Sequence, residues 1–567
     1  MSKPSTSRTN LQTDTGRLPG TPNFVLPSPT VAGYSYLTCL KTRLAHFADS
    51  TMSRWFSLVA LVVLNASAFA EPIQTAIDTL VDSKASGAKL SKPADDAELL
   101  RRAYLDFSGT IPSAEQARAF FADKSPDKRA KLIEQLLASP TYPKRMAEMF
   151  HVMLMERLGD YPEWSAYLKT CFEQNKHWDA MTREILRASS TDAKGASFFL
   201  SKRLENYGQN SVDYSALTRD IGRLFLGKNL QCAECHDHLF IKDYKQQDFK
   251  GIHAFVQNAY LADAKTAAVA ERPTSGKLDY MSVFKKVPKQ TGPSLPGGKE
   301  FEPPTLKKGE EYTIKPDPKT KTPGQLKFSP LAILAEELPK KDNSDFALNG
   351  ANRIWFLLMG RGIVHPLDLH HKENAASHPE LLVLLAKEFA AHDFDIKWLL
   401  KQIALSQAYQ RSSEFPEGET KVSPESFRTA IEKRLSAEQL LAAMQQAMGV
   451  KAEAAILTKV NKAFANAPRE PEDEINPSLK AALFLLNDPA VLAWLVPSNG
   501  NLVERLGKLT NDKIADELYL SVLTRLPASD ERGLVESYLK KHAGQREKAI
   551  GRLAWSLLAS AEFGVNH

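Results

Sequence analysis

A chain of 567 residues is too long to fold around one hydrophobic core, so two or three domains are expected. Its hydrophobic fraction of 43% and charged fraction of 25% are ordinary for a soluble globular protein. The formal net charge is +6, but residues 1–70 contain six Lys or Arg and two acidic residues, so the remainder carries only +2. That balance gives no electrostatic reason to expect nucleic acid as a partner.

The first 70 residues contain the pattern of a secretory signal peptide. Met52-Ser53-Arg54 is a short basic start, and an apolar run at 55–64 and an A-x-A end at 68–70 follow it. We therefore expect residues 1–51 to be a disordered, mis-called N-terminal extension and residues 52–70 to be the signal peptide. The mature protein is then exported, periplasmic or extracellular, with no stable membrane span after signal cleavage. The alternative is an uncleaved N-terminal anchor.

Apolar residues recur with the 3.6-residue spacing of helices through most of the mature chain. Ser113 is predicted to cap one helix, and Gly109 to end the helix before it. Besides the helix that Ser113 caps, helices are predicted at 73–80, 93–105, 131–137, 145–158, 164–173, 178–188, 213–228, 244–260, 331–338, 346–359, 379–392, 396–405, 437–448, 513–524, 529–542 and 546–559.

Between these two sets of helices, the composition changes at residues 262–328. This segment is rich in Lys, Pro, Gly and Thr, and its short alternating pieces at 280–287 and 311–315 predict strands of a small β element. The predicted fold is mainly α. Two helical domains, 73–261 and 329–567, are joined by this irregular Pro/Lys/Gly-rich segment with short β-strands.

The loop that contains Cys232, Cys235 and His236 has the spacing C-x-x-C-H, the attachment signature of a c-type haem. Two thiols at this spacing can each form a thioether with one vinyl group of the porphyrin. The histidine that follows is then held under the iron as its proximal ligand. An exported protein in an oxidising compartment rarely keeps an idle thiol pair. The sequence therefore favours haem c as cofactor.

Other chemistry at the same loop remains open. The pair Cys232 and Cys235 can form a redox or structural disulfide. With His236 and His238 it is also a sound ligand set for Zn²⁺ or another divalent metal.

A distal iron ligand is not specified by the sequence. Met153, Met155 and His253 are candidates by residue type only, and for each of them a place in the core or on the surface is favoured.

Two weaker clusters lie in the second half of the chain. His370 and His371, with Asp368 and Glu373, resemble a set of metal ligands, but they lie in a polar loop and a structural role is favoured.

Arg353 and Arg361 could position an anion. We favour instead a helix that ends at Gly360, with Arg353 in an internal salt bridge. Ser377 and Glu380 are expected to form a capping box.

Residues 105–112 and 136–142, together with the C-x-x-C-H loop, resemble segments of the DUF1549 family. Residues 105–112 match its L-D-x-x-G-x-x-P turn, and residues 136–142 match its L-L-x-S-P-x-Y turn. The third match is the C-x-x-C-H-x-H-P-F loop, at Cys232, Cys235, His236, His238 and Phe240. Leu239 stands where the family usually has Pro.

The downstream half resembles the partner family, DUF1553. The matching segments are 352–355, 360–364, 377–382, 409–413, 434–438 and 562–563. The resemblance implies an exported, cytochrome-like protein, and it implies no established catalytic activity.

Three functions follow as hypotheses. The first is an exported protein with one covalent haem c that supports electron transfer or an extracytoplasmic redox process, with a redox or extracytoplasmic protein as partner. The second is a haem-free binding or scaffold protein whose loop is a structural disulfide or a metal clip. The third is a metal-dependent hydrolase that uses His236 and His238, or His370 and His371.

Overall fold

The computed structural model describes residues 71–189, 193–206, 211–317, 319, 323–451, 454–470 and 479–567. The predicted extension at 1–51 and the predicted signal peptide at 52–70 lie outside these residues. Within the described ranges, no helix has both the length and the apolar character that crossing a membrane requires.

Helices dominate the described part of the chain, which confirms the mainly α prediction. In chain order they are α1 (Ile73–Ser83), α2 (Asp96–Ser108), α3 (Ala114–Ala122), α4 (Lys128–Leu137), α5 (Tyr142–Met155), α6 (Pro162–Glu173), α7 (Trp178–Leu186), α8 (Phe198–Arg203), α9 (Tyr214–Leu226), α10 (Gln246–Val256), α11 (Pro330–Glu337), α12 (Ser344–Met359), α13 (Pro379–Ala391), α14 (Ile396–Leu405), α15 (Ala437–Met448), α16 (Ala454–Phe464), α17 (Leu479–Asn487), α18 (Pro489–Trp494), α19 (Leu502–Gly507), α20 (Asn511–Leu523), α21 (Ser529–Lys541) and α22 (Arg546–Leu558).

The strands are short and pair only two by two, in antiparallel hairpins or ribbons. They are β1 (Ala259–Asp263), β2 (Ala268–Glu271), β3 (Leu278–Met281), β4 (Pro288–Thr291), β5 (Tyr312–Ile314), β6 (Gln325–Leu326), β7 (Lys433–Arg434) and β8 (Val565–Asn566). β1 pairs with β2, β3 with β4, and β5 with β6. Two helical regions separated by a strand-containing segment are thus confirmed.

Local capping explains why helix bounds were predictable. Asp95 caps α2, since its Oδ1 accepts the backbone N–H of Glu98 at 2.9 Å, and α2 ends at Gly109 with φ of 74°. Ser113 and Gln116 form a full capping box at the start of α3. Both predictions for this turn are confirmed, because the signals that encode it lie within a few residues of it.

Two helix predictions are wrong. The helix predicted to continue to Tyr260 ends at Val256, and the chain then enters β1, whose Tyr260 pairs with Ala270. The expected capping box of Ser377 is also absent, because the Ser377 hydroxyl donates to the carbonyl of Ile363 at 3.2 Å. In both cases a contact with a separate segment replaces the local pattern.

Five short or weakly periodic helices were not predicted. They are α8, α16, α17, α18 and α19.

The main hydrophobic core is built from both helical regions. Its buried members run from Ile77 to Val269 and from Leu331 to Phe427, and Leu520 joins them. Trp178 joins the two regions: its ring stacks on Phe225, with centroids 5.7 Å apart, and on Phe346, with centroids 6.2 Å apart. Helices α15 and α18–α22 surround a second core with their buried apolar residues. Residues 71–567 accordingly form one compact unit.

Helices α9 and α12 are also joined by polar contacts. Asn349 Nδ2 donates to the carbonyl of Leu224 at 2.8 Å, and Arg353 donates to Asn349 and to the carbonyl of Arg223. Arg353 forms no ion pair with any described residue, so the prediction of an internal salt bridge is wrong. Burial lowers the pKa of Arg353 to about 10.

Candidate functional site

The C-x-x-C-H loop connects α9 to α10. Buried Leu230 and Ala233 anchor it in the core, and a single 3₁₀ turn spans Cys232–Glu234. The side chains of Cys232 and Cys235 are exposed, and both are free thiols. The third described cysteine, Cys171, is buried as predicted, and burial raises the pKa of its thiol to about 11.

Three neighbouring elements hold the loop through side-chain and backbone contacts. From α9, Arg219 forms an ion pair with Glu234 at 3.0 Å. From α10, the buried Gln246 donates its backbone N–H to Asp237 Oδ1 at 3.0 Å, and its side chain donates to the carbonyls of Glu234 and Met281. Just beyond β3, the N–H of Val283 donates to the carbonyl of Cys235 at 3.1 Å. The loop is therefore fixed before any ligand binds.

His236 has its two ring nitrogens in different roles. Its Nδ1 lies 2.7 Å from the carbonyl oxygen of Asp237. A carbonyl oxygen only accepts, so Nδ1 carries the hydrogen and Nε2 keeps a free lone pair in the neutral ring. This is the tautomer that a metal-ligating histidine adopts when Nδ1–H donates to a backbone carbonyl. The half-buried His236 ring packs against Phe284, with centroids 4.6 Å apart.

His238 is used differently, because it stabilises the loop itself. Its Nδ1 accepts the backbone N–H groups of Phe240 at 3.2 Å and Ile241 at 2.9 Å. The backbone N–H of His238 donates to the carbonyl of the buried Tyr244. Within the described ranges, no three His, Cys, Asp or Glu side chains converge as metal ligands. The structure therefore does not bring His238 together with the thiols and His236 as a metal clip.

The sequence candidates for a distal ligand have other partners. Met155 is fully buried, with its Sδ 3.7 Å from Nη1 of Arg203. His253 is on α10 and faces α9, where its Nδ1 lies 3.2 Å from the hydroxyl of Thr218, and burial lowers its pKa to about 4. Both keep the structural roles that the sequence favours. Met153 lines a cavity described below.

The second helical region closes over the base of the loop. The N–H of His370 donates to the carbonyl of Gly227, and the N–H of Asn229 donates to the carbonyl of Asp368 at 2.8 Å. The Tyr244 hydroxyl donates to the carbonyl of His370 at 3.3 Å. Residues 368–373, which resemble a set of metal ligands in the sequence, thus form a structural clamp on the loop.

The imidazole side chains of this clamp have structural contacts. His370 Nε2 accepts Asn352 Nδ2 at 3.3 Å, and burial lowers the pKa of His370 to about 4. The ring of His371 packs edge-on against Tyr244, with centroids 5.4 Å apart. Glu373 accepts the backbone N–H of Lys242 at 3.4 Å.

Large apolar side chains next to the thiols are exposed to solvent. Leu239 and Phe240, which follow the C-x-x-C-H residues, are 66% and 80% exposed. Val283 and Phe284, which contact Cys235 and His236, are 54% and 63% exposed. The sequence does not predict Val283 and Phe284 as neighbours of the loop, because they belong to the strand segment. The hydrogen bond from Val283 to Cys235 brings them to the loop only in the folded chain.

Family models match the chain on both sides of the strand segment. PSCyt2, a protein of unknown function (DUF1549), matches residues 76–260, which include the loop. PSD1, a protein of unknown function (DUF1553), matches residues 332–463, which include the clamp. No curated protein and no solved structure matches the chain. The predicted resemblance is confirmed: this is a protein with a DUF1549 region followed by a DUF1553 region.

Proposed function

We propose that the chain is an exported c-type haem protein that supports electron transfer in an extracytoplasmic process. Cys232 and Cys235 would hold the haem, each adding its sulfur and hydrogen across one vinyl group, and His236 would bind the iron through Nε2. When bound, the haem supplies a ferric–ferrous couple that carries one electron between redox protein partners. The observation that carries the proposal is the hydrogen bond from His236 Nδ1 to the Asp237 carbonyl, beside two exposed free thiols.

The environment of the loop fits this group. Exposed thiols are accessible to a maturation enzyme, and the apolar surface of Phe284 and Val283 lies beside them. The loop is also rigid, since α9, α10 and the segment after β3 all bond to it. Because the site is open to solvent, we expect a low reduction potential. The short name of the first family, PSCyt2, agrees with a cytochrome-like relation. Export is proposed from the signal pattern at 52–70.

Covalent attachment is tested first. The full chain is co-expressed with a haem c maturation system, and a reduced-minus-oxidised spectrum is recorded on denatured protein. We expect an α band and the added mass of one haem on the intact chain. The double variant Cys232→Ala/Cys235→Ala should lose both. The matched control Cys171→Ala, which removes the buried thiol, should keep both. Absence of band and added mass in the unmutated chain would sink the proposal.

The two histidines provide a sharper test on the same preparation. We expect His236→Ala to retain covalent haem, because the thioethers remain, but to change the native absorption spectrum through loss of the proximal nitrogen. We expect His238→Ala to leave that spectrum unchanged, since His238 bonds only loop backbone. Equal native spectra for His236→Ala and the unmutated chain would contradict the role of His236.

A further inference from the structure

A cavity of about 450 Å³ is lined by residues of both cores. Met149 of the main core and Leu435 of the second core are on its wall. Its volume is within the range of small-ligand sites, about 300–1,000 Å³. No residue of the C-x-x-C-H loop lines it, although Asp368 of the clamp does, so it is a separate site from the proposed haem site.

Most buried charges on the wall of this cavity are neutralised by other side chains. Lys433 Nζ lies 2.7 Å from Asp106, and Arg223 lies 2.6 Å from Glu156. Glu438 is 3.0 Å from Arg157. These pairs need no ligand, because each charge already has its opposite at hydrogen-bond distance.

Arg145 is different. It is 7% exposed, and its Nε has no hydrogen-bond partner. Among the described residues, no carboxylate lies within the 4.0 Å ion-pair distance of its guanidinium. Burial lowers the pKa of Arg145, and the nearby carboxylates of Glu148, Asp106 and Glu438 oppose this shift. No carboxylate of the described residues therefore pairs directly with this buried guanidinium, although these three act on it from a greater distance.

The position of Arg145 is fixed by packing. Its side chain crosses Gly109, where an added Cβ would lie only 2.9 Å from Arg145 Cδ. Gly109 also has φ of +74°, so this glycine both ends α2 and leaves room for the arginine. The guanidinium is therefore preorganised, which lowers the entropy cost of binding a ligand.

The surroundings restrict the ligand. The carboxylates of Glu148, Asp106 and Glu438 act on Arg145 from beyond ion-pair distance and partly balance its charge. The repulsion from these carboxylates grows with the charge of a bound molecule, so one carboxylate is favoured over a more highly charged anion. Val152 and Phe356 add apolar wall. A planar carboxylate matches the guanidinium fork, and an apolar body matches the remaining wall.

We propose that this cavity binds a small monocarboxylate with an apolar body, whose carboxylate is held by the guanidinium of Arg145. This site adds a ligand-binding function to the chain, and it does not depend on whether the loop carries haem.

Calorimetry on the full chain tests the site, with benzoate and hexanoate as probes. Benzamide serves as the neutral analogue of benzoate, and inorganic phosphate as a more highly charged anion. We expect both carboxylates to bind saturably. Benzamide and phosphate should each bind at least about tenfold more weakly than benzoate, because benzamide lacks the charge-assisted pair and phosphate adds repulsion.

Three variants separate ligand binding from structure. Arg145→Met keeps the aliphatic length but removes the guanidinium, and benzoate affinity should fall roughly tenfold or more. Arg532→Met is the control, because Arg532 pairs with Asp516 at 2.6 Å and does not line the cavity, and affinity should be unchanged. If Arg145→Met does not fold, Arg145→Lys keeps the charge without the fork, and weaker benzoate binding is again expected.

The proposal is overturned if neither carboxylate binds saturably to the unmutated chain. It is also overturned if the folded Arg145 variant binds benzoate as tightly as the unmutated chain, or if benzamide or phosphate binds as tightly as benzoate.

Discussion

At the scale of single residues, buried charge in this protein is organised around Asp220. Its side chain is 2% exposed, and three arginines surround it. Nε of Arg203 lies 2.6 Å away, Nη2 of Arg223 lies 3.0 Å away, and Nη2 of Arg469 lies 3.2 Å away. Burial alone raises the pKa of Asp220, but the attraction of the three arginines exceeds it and holds the pKa below its usual range.

Replacing this carboxylate should destabilise the fold. In Asp220→Asn the buried Arg203 loses its anion, and we expect the free energy of unfolding at pH 7 to fall by about 3–5 kcal/mol. The measurement is urea denaturation followed by circular dichroism. Asp127→Asn, in an exposed pair with Lys131, is the control and should change stability only within error.

The same variant predicts a pH dependence. A carboxyl whose pKa is lower in the folded state stabilises the fold above its unfolded pKa of about 3.9, and this stabilisation is lost as pH falls through the folded pKa. The stability gap between the unmutated chain and Asp220→Asn should therefore be full at pH 7 and shrink below about pH 4. An equal gap at both ends of this range would contradict the assignment.

At the scale of elements, the end of α9 determines where the loop begins. Gly227 has φ of +69° and accepts the N–H of His370 from the clamp. An added Cβ would lie 2.7 Å from Cδ2 of His370 and 3.0 Å from Oδ1 of Asn349. The helix can therefore end in this way only with a residue that lacks a side chain.

We expect Gly227→Ala to lower the free energy of unfolding by about 1–2 kcal/mol from the left-handed backbone alone, with the clash against His370 added. The matched control is Gly533→Ala inside α21, where nothing lies within 4 Å of the added Cβ. This variant should stabilise the protein by up to about 1 kcal/mol through helix propensity. Thermal unfolding of the pair measures both signs, and a neutral Gly227→Ala would refute the close approach.

At the scale of the whole molecule, the segments that carry the family resemblance are joined to one another. The Tyr409 hydroxyl donates to Asp106 at 2.9 Å, and Lys433 Nζ lies 2.7 Å from the same carboxylate. Arg102 donates to the carbonyls of Tyr409, Arg411 and His567. Residues far apart in the chain therefore share one buried polar network, which explains their residue types without invoking catalysis.

The shared core predicts that the first region does not fold alone. A fragment of residues 71–328 lacks Phe346 and the rest of α12, so Trp178 and the apolar side of α9 would be exposed. We expect the fragment to unfold without a cooperative transition and to show red-shifted tryptophan emission. Co-expression with residues 329–567 should restore the emission and the transition. Cooperative unfolding of the fragment by itself would contradict this.

The sequence alone determined the helices with strong periodicity, the caps around Gly109 and Ser113, the C-x-x-C-H spacing and the family. Each of these depends on residues close together in the chain, where spacing and side-chain chemistry act directly. The tertiary structure decided the end of α10, the core shared by the two regions, the different roles of His236 and His238, and the place of the buried Arg145 on the cavity wall. These depend on which hydrogen bonds and charges meet after the chain has packed, often between residues more than 100 positions apart, and no local pattern encodes that meeting.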